Sequence, residues 1–342
     1  MMQHEITQSR PLLDADGNIA EPGFARKLLP VYRRADIKAP AVRIKEWDYY
    51  LISNGRFALA LTVDDNGYMS LDSVSLLDFE EGWEITKSPM GLMPLGRVGL
   101  PETSARGDTS HEGRGRSLYF RNDGLGERVL TVSMEDFGPL GAIVGRVKLF
   151  DEPEESMVIC TPFDRPGHFY FNQKINCMRA KGSVRYGGRT YRFDPADSFA
   201  VLDWGRGVWT YHNTWYWSSA SFQAGGVPFG WNLGYGFGDT SAATENMLFY
   251  GGKAHKLGDV KFVIPGGERD FMSPWKFTSG DGRFEMDFTP VLDRKSCTDA
   301  KIIKSDQHQV FGRFTGRAVL DDGTPVDVKD FPGFAEKVEN KW

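Results

Sequence analysis

The sequence holds only three cysteines, Cys160, Cys177 and Cys297, in 342 residues. An odd number of widely spaced cysteines builds no disulfide framework, so free thiols in a reducing cytoplasm are expected. No apolar run approaches the ~20 residues that a membrane-spanning helix needs. The most apolar stretch, FALALTV (57–63), is the length of a strand. The opening MMQHEITQSRPLLDADGN lacks the apolar centre of a secretory signal, and none is expected there. Lys and Arg number 41 against 46 Asp and Glu, for a net charge of −5. They never gather into the basic face that phosphate neutralisation requires, which argues against nucleic acid as a partner. The 6 histidines show no HxxxH, HxH or Cys-paired spacing, so no metal is expected. There is no GxSxG elbow and no Walker loop. The spaced glycines of GYGFGD (234–239) precede no helical pattern, which removes the case for a dinucleotide. No cofactor is expected.

Amphipathic helices of ten or more residues are missing as well. Short ones are expected only near Ser241–Glu245 or within Gly333–Asn340. What the chain has instead is 13% aromatic residues and 39 glycines, a composition suited to short strands joined by tight turns. Segments such as WDYYLISNGRFALALTVDDNGYMSLDSVSLLDF alternate polar and apolar residues between Gly, Asn and Asp turn signals, which predicts strand–turn–strand structure. The loop ARGDTSHEGRGR (105–116) reads as solvated and mobile, a lid at most. The two halves echo each other. Trp47-x-Tyr49 answers Trp215-x-Trp217, Phe57 answers Phe229, and VGRVKLFDE answers TGRAVLDDG, each pair roughly 170 residues apart, as an internal duplication would leave them. Seven or eight short strands per half suit a small antiparallel barrel with room inside for side chains or one small ligand. The expected fold is therefore all-β, two tandem lipocalin-like antiparallel β-barrels related by duplication, over 1–195 and 196–342. A single large sandwich is the alternative.

Candidate site residues crowd into LDWGRGVWTYHNTWYWSSASF (202–222). In its second part, alternation sets Trp215, Trp217, Ser219 and Ser221 on one face and Thr214, Tyr216, Ser218, Ala220 and Phe222 on the other. Neither face carries charge, so both are expected to be buried, one in the second barrel and one toward its partner. Asp203 and Arg206 stand in apolar company. They read either as an ion pair fixing a turn, with Gly205 and Gly207 permitting a bend, or as an acid in an aromatic-walled pocket whose pKa desolvation raises. Asp203, Glu245 and His212 are the catalytic candidates. Trp204, Arg206, Trp209, Tyr211, Trp215, Trp217, Lys174, Asn176 and Asn232 are the candidate ligand contacts. Lys174 and Asn176 share one strand face, where a lysine needs a carboxylate or a ligand anion if it points inward.

Several segments together resemble the DUF2804 family: KINCMRAKGSVRYGGRTYRF (174–193), LDWGRGVWTYHNTWYWSSAS, WNLGYGFGDTSAATENMLFYGGKAHKL (231–257) and GRAVLDDGTPVDVKDFPGFAEKVENKW (316–342). More remotely the chain resembles the tandem-lipocalin proteins that include carotenoid 1,2-hydratases and the AttH-like group. That resemblance implies two lipocalin-like barrels with a ligand cavity at or near their interface, and it sets Asp203, Trp204, Arg206 and Trp209 against the hydratases' Asp/aromatic region. Three functions follow as expectations. The first is an enzyme acting on a small, largely apolar or amphipathic molecule by proton transfer, as a hydratase, isomerase or cyclase, with tryptophan faces stabilising positive charge. The second is a non-catalytic lipid or isoprenoid binder. The third is a carbohydrate-active protein, which would set two carboxylates across the cavity.

Overall fold

Strands account for nearly all the regular structure of the computed structural model, which describes residues 3–299 and 304–341. The one α-helical element among the described residues is the single turn Pro265–Glu268. No helix there is long and apolar enough to cross a membrane. Neither expected short helix forms: 241–245 is irregular, and 333–340 lies inside the 17-residue strand Pro325–Lys341. Cys160, Cys177 and Cys297 are free.

The chain folds into two large, curled antiparallel sheets of lipocalin-like kind. The main path of the first runs Trp83–Lys87, Met69–Asp78, Phe57–Asp65, Ile44–Ser53, Phe199–Val208, Phe169–Tyr186, Gly141–Phe150, Arg128–Gly138, Arg116–Asn122 and Thr109–Gly113. The second begins at His212–Ala224, which pairs with both Val227–Tyr235 and Pro325–Lys341. The changeover between sheets therefore falls between Val208 and His212, and Phe199–Val208 is a central strand of the first sheet, paired with Ile44–Ser53 and Phe169–Tyr186.

The run FALALTV is apolar throughout because both of its faces are covered. Leu59, Leu61 and Val63 fill the first sheet's own core, while Ala58 and Ala60 pack in a separate cluster with Trp217, Phe311 and Phe334 of the second sheet. Small residues on that face let the second sheet approach closely. His212–Ala224 divides in the same way. Ala220 belongs to the second sheet's core with Tyr216 and Phe222 packed on it, whereas Trp217 turns toward the first sheet.

Segment 105–116 is not a free loop. It supplies the strand Thr109–Gly113, and His111 Nδ1 and Arg116 Nε reach the buried Asp72 of Met69–Asp78 at 2.6 and 2.7 Å. Those two contacts tie the far end of the strand path back toward its beginning, so the polar residues that suggest a solvated loop are spent on closing the sheet.

Candidate functional site

Strand alternation splits the residues that the sequence crowds together. Along Phe199–Val208, Leu202, Trp204 and Val208 point into the first core, and Val201 points toward the second sheet. Asp203 and Arg206, three apart, take opposite faces, and the expected Asp203–Arg206 ion pair does not form. Arg206 is fully buried. It donates to the carbonyls of Trp47 and Gly205, both at 2.8 Å, and of Pro101 at 2.7 Å, and reaches Asp48 Oδ1 at 3.1 Å. Its guanidinium lies 4.2 Å from the centre of the Trp204 ring. It holds a strap of the first barrel to its wall and does not hold Asp203. Gly205 and Gly207 make no bend either, since both lie within the strand. A Cβ on Gly205 would come within 1.9 Å of the Trp47 ring, so the glycine exists to let that indole cross the strand.

Asp203 faces the second sheet and meets a different cation. Lys174, directly opposite it in the ladder, places Nζ 2.7 Å from Asp203 Oδ2, and Asn172 Nδ2 donates to Oδ1 at 2.6 Å. The same ammonium sits 4.0 Å from the centre of the Trp217 ring, whose indole N–H donates to Asn232 Oδ1 at 2.8 Å. Asn232 in turn donates to the carboxylate of Glu245 at 3.0 Å. On the other side of Trp217, Glu336 accepts from Trp215 Nε1 at 2.7 Å and from Gln309 Nε2 at 2.9 Å. Both sheets thus contribute to one buried group of three carboxyls around Lys174. Burial pushes the Glu245 carboxyl above its ordinary range, with Lys174 opposing and Asp203 reinforcing the shift. Burial does the same to Glu336, against the hydrogen bond from Trp215 and the charges of Arg294 and Lys174. Losing water penalises the charged form more than one shared cation compensates. Tyr49, edge-on to Trp217 at 6.0 Å, has its phenol pushed up to about 12, chiefly by burial.

A narrow cleft of about 40 Å3, partly open to solvent, lies beside this group between the sheets. Its wall follows from period-2 alternation on five strands. Leu51, Val201, Ser219, Phe311 and Phe334 line the cleft, and each stands two residues, about 7 Å along its strand, from Tyr49, Asp203, Trp217, Gln309 and Glu336 respectively. The cleft's inner wall and the polar group are successive rungs of the same faces. Apolar side chains make up much of the wall, and the hydrogen-bonding groups lie one rung behind it.

Of the sequence candidates, Asp203, Glu245, Lys174, Asn232, Trp215 and Trp217 come together here. Trp209 packs edge-on to Trp215 at 5.9 Å, on the rim of the cluster. Asn176 serves as a tie between the sheets. A bulge between Ile175 and Met178 aims it at Ser219 Oγ and at the carbonyls of Ala220 and Trp231, to which its amide donates at 2.8, 3.2 and 3.0 Å. Trp204 and Arg206 lie in the first core instead, and Tyr211 and His212 are exposed at the turn between the sheets. Tyr49, Asn172, Gln309 and Glu336 escape the sequence reading. The signal for Glu336 was present, because Phe334, Glu336 and Val338 share one strand face and only an acid in an apolar row marks a site. Reading 333–340 as a helix hides it. Among the described residues no cluster of His, Cys, Asp and Glu is placed to hold a metal ion.

Solved structures resemble this chain, three of them as follows. CghA with Sch210972 is 12% identical, with a TM-score of 0.58 over 98% of this chain and 97% of that one. A protein assigned as an AttH from Nitrosomonas europaea is 13% identical, with a TM-score of 0.53 over 87% and 92%. Kievitone hydratase from Nectria haematococca is 11% identical, with a TM-score of 0.45 over 97% and 98%. At such identities the first two likenesses bear on the fold, which they share over nearly the full chain. No curated protein matches the sequence. A family model, described as a domain of unknown function, matches residues 3–342, and the chain belongs to that family, DUF2804.

Proposed function

We propose that the protein binds a small, largely apolar molecule in the cleft between its two sheets and catalyses a proton transfer on it: a hydration, isomerisation or cyclisation. The observation that carries this reading is the buried group one rung behind the cleft wall, where Lys174 pairs with Asp203 over the Trp217 ring and its charge acts on Glu245 and Glu336. Asp203 is committed to its ion pair. Glu336, two residues from Phe334 of the cleft wall, is the carboxyl assigned to the reacting proton, and Glu245, which accepts from Asn232, is a second carboxyl within the field of the same lysine. A carboxyl with a raised pKa keeps its proton nearer to neutral pH, as a general acid must. The indole faces would stabilise positive charge developing on the substrate. CghA, which shares the fold, was solved with the compound Sch210972, which supports a small-molecule ligand for this fold.

The second reading is a carrier without catalysis. It draws on the two oxygens of Glu336, both already occupied by Trp215 and Gln309. One experiment separates the two. Purified wild type and the Glu336→Gln variant are incubated in D2O with the apolar metabolite fraction of a cell extract, and the products are profiled by mass spectrometry. Catalysis yields a product bearing carbon-bound deuterium with the wild type and not with the variant. Identical profiles from both proteins would leave the carrier as the reading.

A further inference from the structure

Two buried polar atoms one rung behind the cleft wall make no hydrogen bond of normal geometry, the Tyr49 hydroxyl and Gln309 Oε1, and the two side chains lie near each other. Tyr49 is 7% and Gln309 2% exposed. Most other polar atoms of the group are spent on one another, Asn172 Oδ1 being an exception. Gln309 Nε2 is fixed on Glu336 Oε2, which turns Oε1 of the same amide away from that carboxylate. Tyr49 and Gln309 come from different sheets, and each stands two residues from a cleft-lining residue, Leu51 and Phe311. An unpaired buried donor and an unpaired buried acceptor each cost stability, and native proteins keep few of them without a use.

We propose that Tyr49 Oη and Gln309 Oε1 together seat a hydroxyl group of the ligand, the tyrosine donating to its oxygen and the glutamine accepting its proton. The inference rests on the proposed use of the cleft and narrows it, because the occupant is then an alcohol or phenol on an apolar skeleton and not a plain hydrocarbon. A hydrocarbon would leave both atoms unpaired and desolvated. A hydroxyl is the smallest group that satisfies a donor and an acceptor at once. The raised phenol pKa keeps Tyr49 protonated, and so a donor, across the physiological range.

The test uses two probes of one skeleton, naphthalene and 2-naphthol, in equilibrium dialysis against the full chain at pH 7. Wild type is expected to hold 2-naphthol about tenfold more tightly than naphthalene. Tyr49→Phe, which removes one unpaired oxygen and keeps the ring against Trp217, should bind naphthalene as wild type does and lose the preference. Equal affinities in wild type, or a preference that survives Tyr49→Phe, overturn the hydroxyl seat while leaving an apolar cleft in place. Failure of both probes to bind overturns the apolar cleft and the seat together.

Discussion

Replacing Lys174 by Met removes the ammonium that pairs with Asp203 and whose charge acts on Glu245 and Glu336. Lys174 and Asp203 are only 3% and 10% exposed in their side chains and lie 2.7 Å apart. Neither can turn to water, so stripping either partner leaves a charge in a poorly solvated place. Breaking such a pair costs about 3–5 kcal/mol, and the lost contact with the Trp217 ring falls within that range. With about 2.1 cal/mol/K of unfolding entropy per residue, the expected drop in Tm is about 4–7 °C at pH 7. Asp203→Asn should cost less, about 1–3 kcal/mol, because Lys174 keeps the charges of Glu245 and Glu336 nearby. The double variant should be more stable than the sum of the two losses implies, since neither charge is then left alone. The pH dependence is signed as well. A carboxyl stranded by Lys174→Met has its folded pKa raised, so the folded form binds the extra proton, and stability declines as pH rises above the unfolded value of about 3.9. The deficit of Lys174→Met should therefore shrink between pH 7 and pH 4. Chemical denaturation of the four proteins at both pH values measures all of this. A Lys174→Met variant as stable as wild type at pH 7, or strictly additive losses, would refute the ion pair as the centre of the group.

Two further outcomes follow from neighbouring residues. Burial raises the folded pKa of Glu245 above the ordinary glutamate range, so it subtracts stability as pH climbs above the unfolded value of about 4.3. Glu245→Gln, whose amide oxygen can still accept from Asn232, should melt no lower than wild type at pH 7, with the two curves converging toward pH 4; a large loss at pH 7 would contradict burial as the cause. Asn176→Ala removes the amide that joins the bulge of the first sheet to Ser219, Ala220 and Trp231 of the second. It should cost about 2–4 kcal/mol by leaving buried carbonyls unpaired and should speed proteolysis between Val208 and His212, whereas unchanged cleavage there would mean that the tie is dispensable.

The sequence by itself determined the class of fold. Period-2 alternation between turn residues is a local property, and it survives into the structure because each strand must bury one or both faces. It also pointed to two covered faces along WYWSS, since no charge appears on either, although Trp215 and Tyr216 are only half-buried. The partners of the charged residues were beyond its reach. Asp203 and Arg206 look like a pair because they are neighbours in the chain, but a strand turns residues three apart to opposite sides, and each found its counter-charge on another strand. Lys174 is set opposite Asp203 by the antiparallel register of two strands, and Glu336, Gln309 and Tyr49 arrive from three more. Such contacts depend on how two sheets pack, a decision made by the small residues Ala58 and Ala60 and by the bulge at Asn176, far along the chain from the groups they bring together. The strands were written locally; the site exists only where the two sheets meet.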